Sequence, residues 1–216
     1  MDTALVTEQV NAITRRVGSR TIEAGEARTV TIARDYDATI EEVWDVCTNP
    51  ERIPRWFLPV SGELREGGRY QLEGNAGGRI ERCEPPRSFT ATWEYGGNVS
   101  WIELRLSEAA GGGTRFELEH ISPEGQIWTE FGPGAVGVGW DLALLGLTMH
   151  LSTGASPDPD TAVTFPASEE GRRFIEASSQ GWRQAAVDAG AEPAEAAAAA
   201  NRTFAFYTGA PAEPGD

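Results

Sequence analysis

Between residues 28 and 151 the chain alternates short apolar–polar runs with glycine turns and then closes on one long apolar segment. The strand-like run ARTVTIARDY is followed by a short helical stretch, TIEEVWDVCTNP, capped by Asp37 or Thr39 and stopped by Pro50. Turns then fall at Gly67-Gly68, Gly77-Gly78, Pro85-Pro86, Gly96-Gly97 and Gly111 to Gly113. Between them, Tyr70 and Leu72 share a face with Gly74, as do Phe89, Ala91 and Trp93, then Ile102, Leu104 and Leu106, then Phe116, Leu118 and His120. This period of two, with one polar face per strand, specifies an antiparallel sheet wet on one side and excludes a doubly covered parallel sheet. The closing segment GVGWDLALLGLTMHL has no place in that sheet and must cover its apolar face. The expected fold class is α+β, an antiparallel sheet wrapped around a long C-terminal helix with a ligand-sized cavity between them.

The long helix, expected over 137–151, carries two apolar stripes. Trp140, Leu144, Leu147 and Leu151 form one; Val138, Leu142, Leu145 and Met149 form the other, about 200° away around the axis. A helix apolar on both sides must be covered on both sides. The tail offers the second cover: a helix near 168–189 with Ser168 at its cap and Phe174, Ser178, Trp182 and Ala185 on one face, then an alanine-rich helix from Pro193 to 208. Residues 152–166 read as the connecting loop. Upstream, Val6, Val10, Ile13 and Val17 stand at helical spacing, so residues 3–17 are expected to be helical and 18–27 a linker. The domain reading is 1–27, 28–151 and 152–216.

The chain has 216 residues, a net charge of −15 and no lysine among its 18 basic residues. That charge argues against nucleic acid or anionic lipid as partners, and the lack of lysine removes Schiff-base chemistry. The arginine-only usage suggests a GC-rich bacterial source. MDTALVTEQV lacks the apolar core of a signal peptide, and the stretch Leu142 to Leu147 is too short to span a bilayer, so a cytoplasmic protein is expected. Cys47 and Cys83 are isolated and read as reduced thiols.

Three candidate features carry chemistry. GPGAVG at 132–137 matches a dinucleotide-binding spacing but contains Pro133 and sits beside an antiparallel sheet, so a flexible entrance to the long helix is the better reading. His120 lies on the inward register of its strand and could be a satisfied core histidine or a general base. Arg34 and Arg82 also fall on inward registers, and a buried guanidinium requires a partner: an acid such as Glu42 or Glu73, or a ligand anion. His150, near the end of the long helix, suits its negative pole. The two histidines make no metal site, and neither metal nor cofactor is expected.

The order ARDYDATIEEVWDVCTNPERIPRWF, GRIERCEPPRSFTATWEY, GGGTRFELEHIS, GWDLALLGL resembles the START/Bet v 1 helix-grip superfamily, also called SRPBCC, and within it homologues of the activator of the heat-shock-protein-90 ATPase. The resemblance covers about residues 28 to 151 and implies a seven-stranded-type antiparallel sheet around a long helix. It also implies binding of an apolar small molecule, with polyketide cyclase/aromatase-like or hydrolase-type catalysis as the alternative. A co-chaperone-like, protein-binding role follows from the family name alone.

The leading expectation is a monomer or homodimer that binds a small hydrophobic or aromatic ligand. Trp56, Phe57, Tyr70, Trp93, Leu104, Phe116, Leu118, Trp140, Leu144 and Leu147 would line the cavity. In the enzymatic alternative His120 would act as acid/base and Arg82 would hold an oxyanion.

Overall fold

The computed structural model describes residues 8–23, 25–154, 156 and 163–210. Its strands are β1 (Thr14–Ile22), β2 (Gly25–Tyr36), β3 (Val60–Gly62), β4 (Arg69–Leu72), β5 (Gly77–Glu84), β6 (Ser88–Tyr95), β7 (Asn98–Glu108) and β8 (Thr114–Pro123). The helices are α1 (Ile40–Thr48), α2 (Gln126–Phe131), α3 (Gly134–Thr153), α4 (Glu169–Asp188) and α5 (Pro193–Thr208), with single 3-10 turns at Ile53–Arg55 and Phe165–Ala167. The strands form one eight-stranded sheet in the order β1-β2-β8-β7-β6-β5-β4-β3, antiparallel through every pairing from β3 to β8. With the long helix α3 this is an α+β, helix-grip-like fold.

The chain groups into two compact units. One holds the described residues of Met1–Ile32, Pro123–Leu142 and Pro157–Asp216; the other is Ala33–Ser122 with Ala143–Ser156.

In the second unit the sheet registers as its alternation requires. Leu106 pairs with Phe116, Leu104 with Leu118, and Ile102 with His120, while Phe89, Ala91 and Trp93 face Leu104, Ile102 and Ser100. These rows form the apolar face. The opposite face carries Arg105, which meets Glu103, Glu117 at 3.2 Å and Glu119 at 3.4 Å. Helix α1 is capped by Thr39, whose hydroxyl accepts from the Glu42 amide at 3.2 Å. At Gly146 a Cβ would stand 2.3 Å from the Trp56 carbonyl oxygen, so only glycine lets α3 approach that close.

In the first unit, α4 starts at Ser168, whose hydroxyl accepts from the Gly171 amide at 3.0 Å. Its Phe174, Ser178 and Trp182 are buried, as the tail's periodicity requires. α5 opens on Pro193 and ends at Gly209, which is left-handed at φ +64. The tail reaches the first half of α3 along two lines. Trp182 and Thr203 lie over Gly137 and Gly134, and the Tyr207 hydroxyl donates to the Ala135 carbonyl at 3.0 Å beside Gly139. Val138, fully buried, sits between those lines on the helical wheel. α3 is long and apolar enough to cross a bilayer, but 56% of its apolar window is buried inside the protein and a carboxylate, Asp141, sits at its middle.

Three readings need correction. Residues 14–22 are a strand, not the end of a helix and a linker; helical turns occupy only 8–11 among the described residues, and Val6 lies outside them. The valine–isoleucine spacing fits a helix, but Thr14 to Ile22 is taken up as a strand of the sheet, alternating Arg15 and Val17 to one side. This strand also makes eight where the resemblance implies seven. Third, the long helix begins at Gly134 rather than at 137, so most of the GPGAVG run is its first turn and not a flexible entrance; the run follows helix α2 and not a strand, in keeping with the rejection of a dinucleotide fingerprint. Of the 152–166 connection, residues 155 and 157–162 lie outside the described residues.

Candidate functional site

The apolar face of the second unit holds one internal polar pair. His120 is buried, and its Nε2 lies 2.9 Å from the Ser100 Oγ. The Ser100 hydroxyl donates to the Trp93 carbonyl at 3.1 Å, which uses its single proton. In that arrangement His120 Nε2 carries hydrogen and donates to Ser100. Desolvation lowers the imidazole to a pKa of about 4, so the ring is neutral at physiological pH. The Trp93 ring stands edge-on to it, 6.0 Å between centroids.

Apolar side chains share the sheet face with the pair. Leu104, Phe116 and Leu118 are buried on the sheet, and Leu144 and Leu147 are buried on the α3 segment of the same unit. Tyr36 meets Phe116 edge-on at 6.3 Å. Four of the expected lining residues are aromatic and partly exposed: Trp56, Phe57, Tyr70 and Trp93. Trp56 and Phe57 stack at 5.5 Å, and the Trp56 indole donates to the Val46 carbonyl at 3.0 Å, which fixes its ring. Tyr70 donates to the Thr92 carbonyl at 2.7 Å, and burial raises its phenol above the ordinary value. Trp140 is buried but belongs to the first unit, so it is not grouped with the other nine expected lining residues.

Arg82 is not inward. Its side chain is 72% exposed and pairs with Glu84 at 2.6 Å. The cause is a β-bulge: Ile80 pairs with Ala91 but Arg82 with Thr90, so two steps on β5 oppose one on β6 and the alternation flips. Arg34 is buried as its register requires, with its guanidinium 5.5 Å over the Tyr36 ring. Glu42, one of its expected partners, pairs instead with Arg52 at 2.7 Å, and Arg52 also holds Asp45 at 2.9 Å. Those contacts hold both carboxyls below the usual range. Arg52 further approaches His150 Nε2 at 3.4 Å; a guanidinium only donates, so that nitrogen accepts.

Sequence reasoning missed a second buried polar cluster, in the first unit. Asp141 Oδ2 accepts from Arg15 Nε at 3.0 Å and from the Trp182 indole at 3.1 Å, and it makes a short contact with the Ser178 hydroxyl. Asp141 is fully buried; desolvation pushes its carboxyl up while these donors pull it back. The one available signal was a lone acid inside an apolar helix, at the spacing i, i+3, i+7 with Gly134 and Gly137.

A one-sided antiparallel sheet, a long apolar helix and a few internal polar groups define a helix-grip-like protein. The family model described as "Activator of Hsp90 ATPase homolog 1-like protein" matches residues 37–152, and the chain belongs to that family. The crystal structure of CalU16 from Micromonospora echinospora is 44% identical, aligns over 81% of this chain and 98% of that one, and has a TM-score of 0.65. The solution structure of CalU16 gives 43%, 82%, 97% and 0.69. Fold likeness alone extends to EF2215 from Enterococcus faecalis, a conserved protein of unknown function: 15% identity, 85% of this chain, 96% of that one, TM-score 0.59. It extends also to DynU16, a protein of the dynemicin biosynthetic locus, at 20% identity, 59% of this chain, 48% of that one and a TM-score of 0.53. No curated protein matches the chain.

Proposed function

We propose that this protein binds a small hydrophobic or aromatic molecule against the apolar face of the sheet in the second unit. The observation that carries the reading is the set of partly exposed aromatic residues, Trp56, Phe57, Tyr70 and Trp93, in the same unit as the buried Leu104, Phe116, Leu118, Leu144 and Leu147. Residues of the second kind form a wall; those of the first keep area available to a ligand. His120 and Ser100 supply orientation rather than chemistry. With a pKa of about 4 the imidazole is a weak base at neutral pH, and its Nε2 hydrogen is already committed. Binding therefore has more support than the cyclase- or hydrolase-type alternative, which also needs Arg82 at the ligand.

The test is native mass spectrometry of the protein purified from its own host, followed by extraction and identification of whatever co-purifies. A Leu118→Trp variant, which fills the wall, should carry less than a tenth of the wild-type load. Wild-type protein with no bound apolar molecule, or an equal load in both, overturns the reading.

A further inference from the structure

The first unit holds a cavity of about 350 Å³ that the reading above does not use. That volume falls within the size range of small-molecule sites. Its walls come from four sequence regions that pack within this unit: Val17 and Arg28 near the N-terminus, the turn from Trp128 to Gly134, and both tail helices. Three properties point to a ligand.

The first is aromatic area: Trp128, Phe131 and Trp182 line it together with the small side chains of Ala196, Ala199 and Ala200. A lining that combines aromatic rings with small side chains suits a flat aromatic molecule. Next comes polarity. Ser179 lines the cavity, is 2% exposed, and its hydroxyl has no hydrogen-bond partner among the described residues. A buried hydroxyl left unpaired is unfavourable, and a hydrogen-bonding ligand group removes that penalty. The third is charge. In a chain of net charge −15, the charged lining is Arg28, Arg183 and a single acid, Glu195. Arg28 stands 5.8 Å over the Trp128 ring, and its link to Glu124 at 2.7 Å is half exposed, hence weak and exchangeable. The glycine turn forms part of the wall. Gly132 is left-handed at φ +58, and a Cβ there would meet the Ala199 Cβ at 3.4 Å; both residues line the cavity.

We propose that this cavity is a second small-molecule site, separate from the sheet face, which takes a flat aromatic acid with its ring against Trp128 and its anionic group at Arg28. The site stands on observations independent of the reading above, so either can fail alone.

The experiment titrates 2-naphthoate, and its neutral analogue 2-naphthalenemethanol, into the full chain. Binding is followed by isothermal calorimetry and by the indole N–H signals of ¹⁵N-labelled protein. The acid should bind at least fivefold more tightly than the alcohol, with shifts at Trp128 and Trp182. Arg28→Gln, at a half-exposed position that does not endanger folding, should abolish the preference for the acid. Ala199→Phe should fill the slot and lower affinity at least tenfold. Shifts confined to Trp56 or Trp93 would place the aromatic acid on the sheet face and overturn the proposal. So would an acid preference unchanged in Arg28→Gln, or no shift at millimolar naphthoate.

Discussion

Arg15 Nε donates to Asp141 Oδ2 at 3.0 Å across 126 residues of sequence, and neither side chain is appreciably exposed to water. The link ties β1 to the middle of α3. Ser178 and Trp182 of α4 add their donors to the same oxygen, so three segments converge on one carboxylate. A buried charge of this kind is stable only while its partners stay in place.

Arg15→Met should therefore be strongly destabilising, by about 3–5 kcal/mol, because it strands the Asp141 charge. Urea unfolding measures it. The double variant Arg15→Met/Asp141→Leu should recover most of the loss, since it removes the stranded charge as well. A loss below about 1 kcal/mol in the single variant would show that the pair does not organise this unit.

Gly137→Ala tests the close approach of the tail. Alanine is the better helix former by about 1 kcal/mol, yet its Cβ would lie 2.3 Å from the Trp182 ring. Overpacking should dominate and lower stability by roughly 1–3 kcal/mol. Gly139→Ala meets only the Tyr207 hydroxyl, at 3.0 Å, and should cost less. Thermal denaturation of the two variants should preserve that order.

His120 makes stability depend on pH. Its native pKa, about 4, lies below the usual histidine value, so between the two values the unfolded chain binds more protons than the folded one. Stability then rises with pH across that window, is fully present above about 6.5, and is lost as pH falls toward 4; the whole effect is roughly 3 kcal/mol. His120→Gln should flatten the wild-type slope between pH of about 5 and 6.5, where most carboxylates have finished titrating. An unchanged slope would mean that the imidazole is not shielded.

Arg82→Ala should leave stability within about 0.5 kcal/mol and ligand load unchanged, since an exposed arginine–glutamate pair contributes little. Leu118→Ala, by contrast, should cost about 2–5 kcal/mol. Equal effects of the two in urea would contradict the bulge at β5.

What the sequence by itself determined was everything carried by local periodicity and punctuation. Alternation placed Leu104, Phe116, Leu118 and His120 on one face, and the register confirms it. Thr39, Ser168 and Gly209 marked helix ends within a residue or so, because a cap depends on groups only a few residues away. The doubly apolar helix required cover on both sides, and its glycines did the rest unseen. Tertiary structure decided the remainder. Whether Thr14 to Ile22 is helix or strand depended on a sheet edge elsewhere in the chain. Arg82 left the inward face because of a bulge defined only across a strand pair. Asp141 and Arg15 found each other over a separation that no window of sequence spans. Short-range patterns fix conformations that neighbours along the chain can satisfy; pairing, bulges and buried charges are satisfied only by groups that folding brings together.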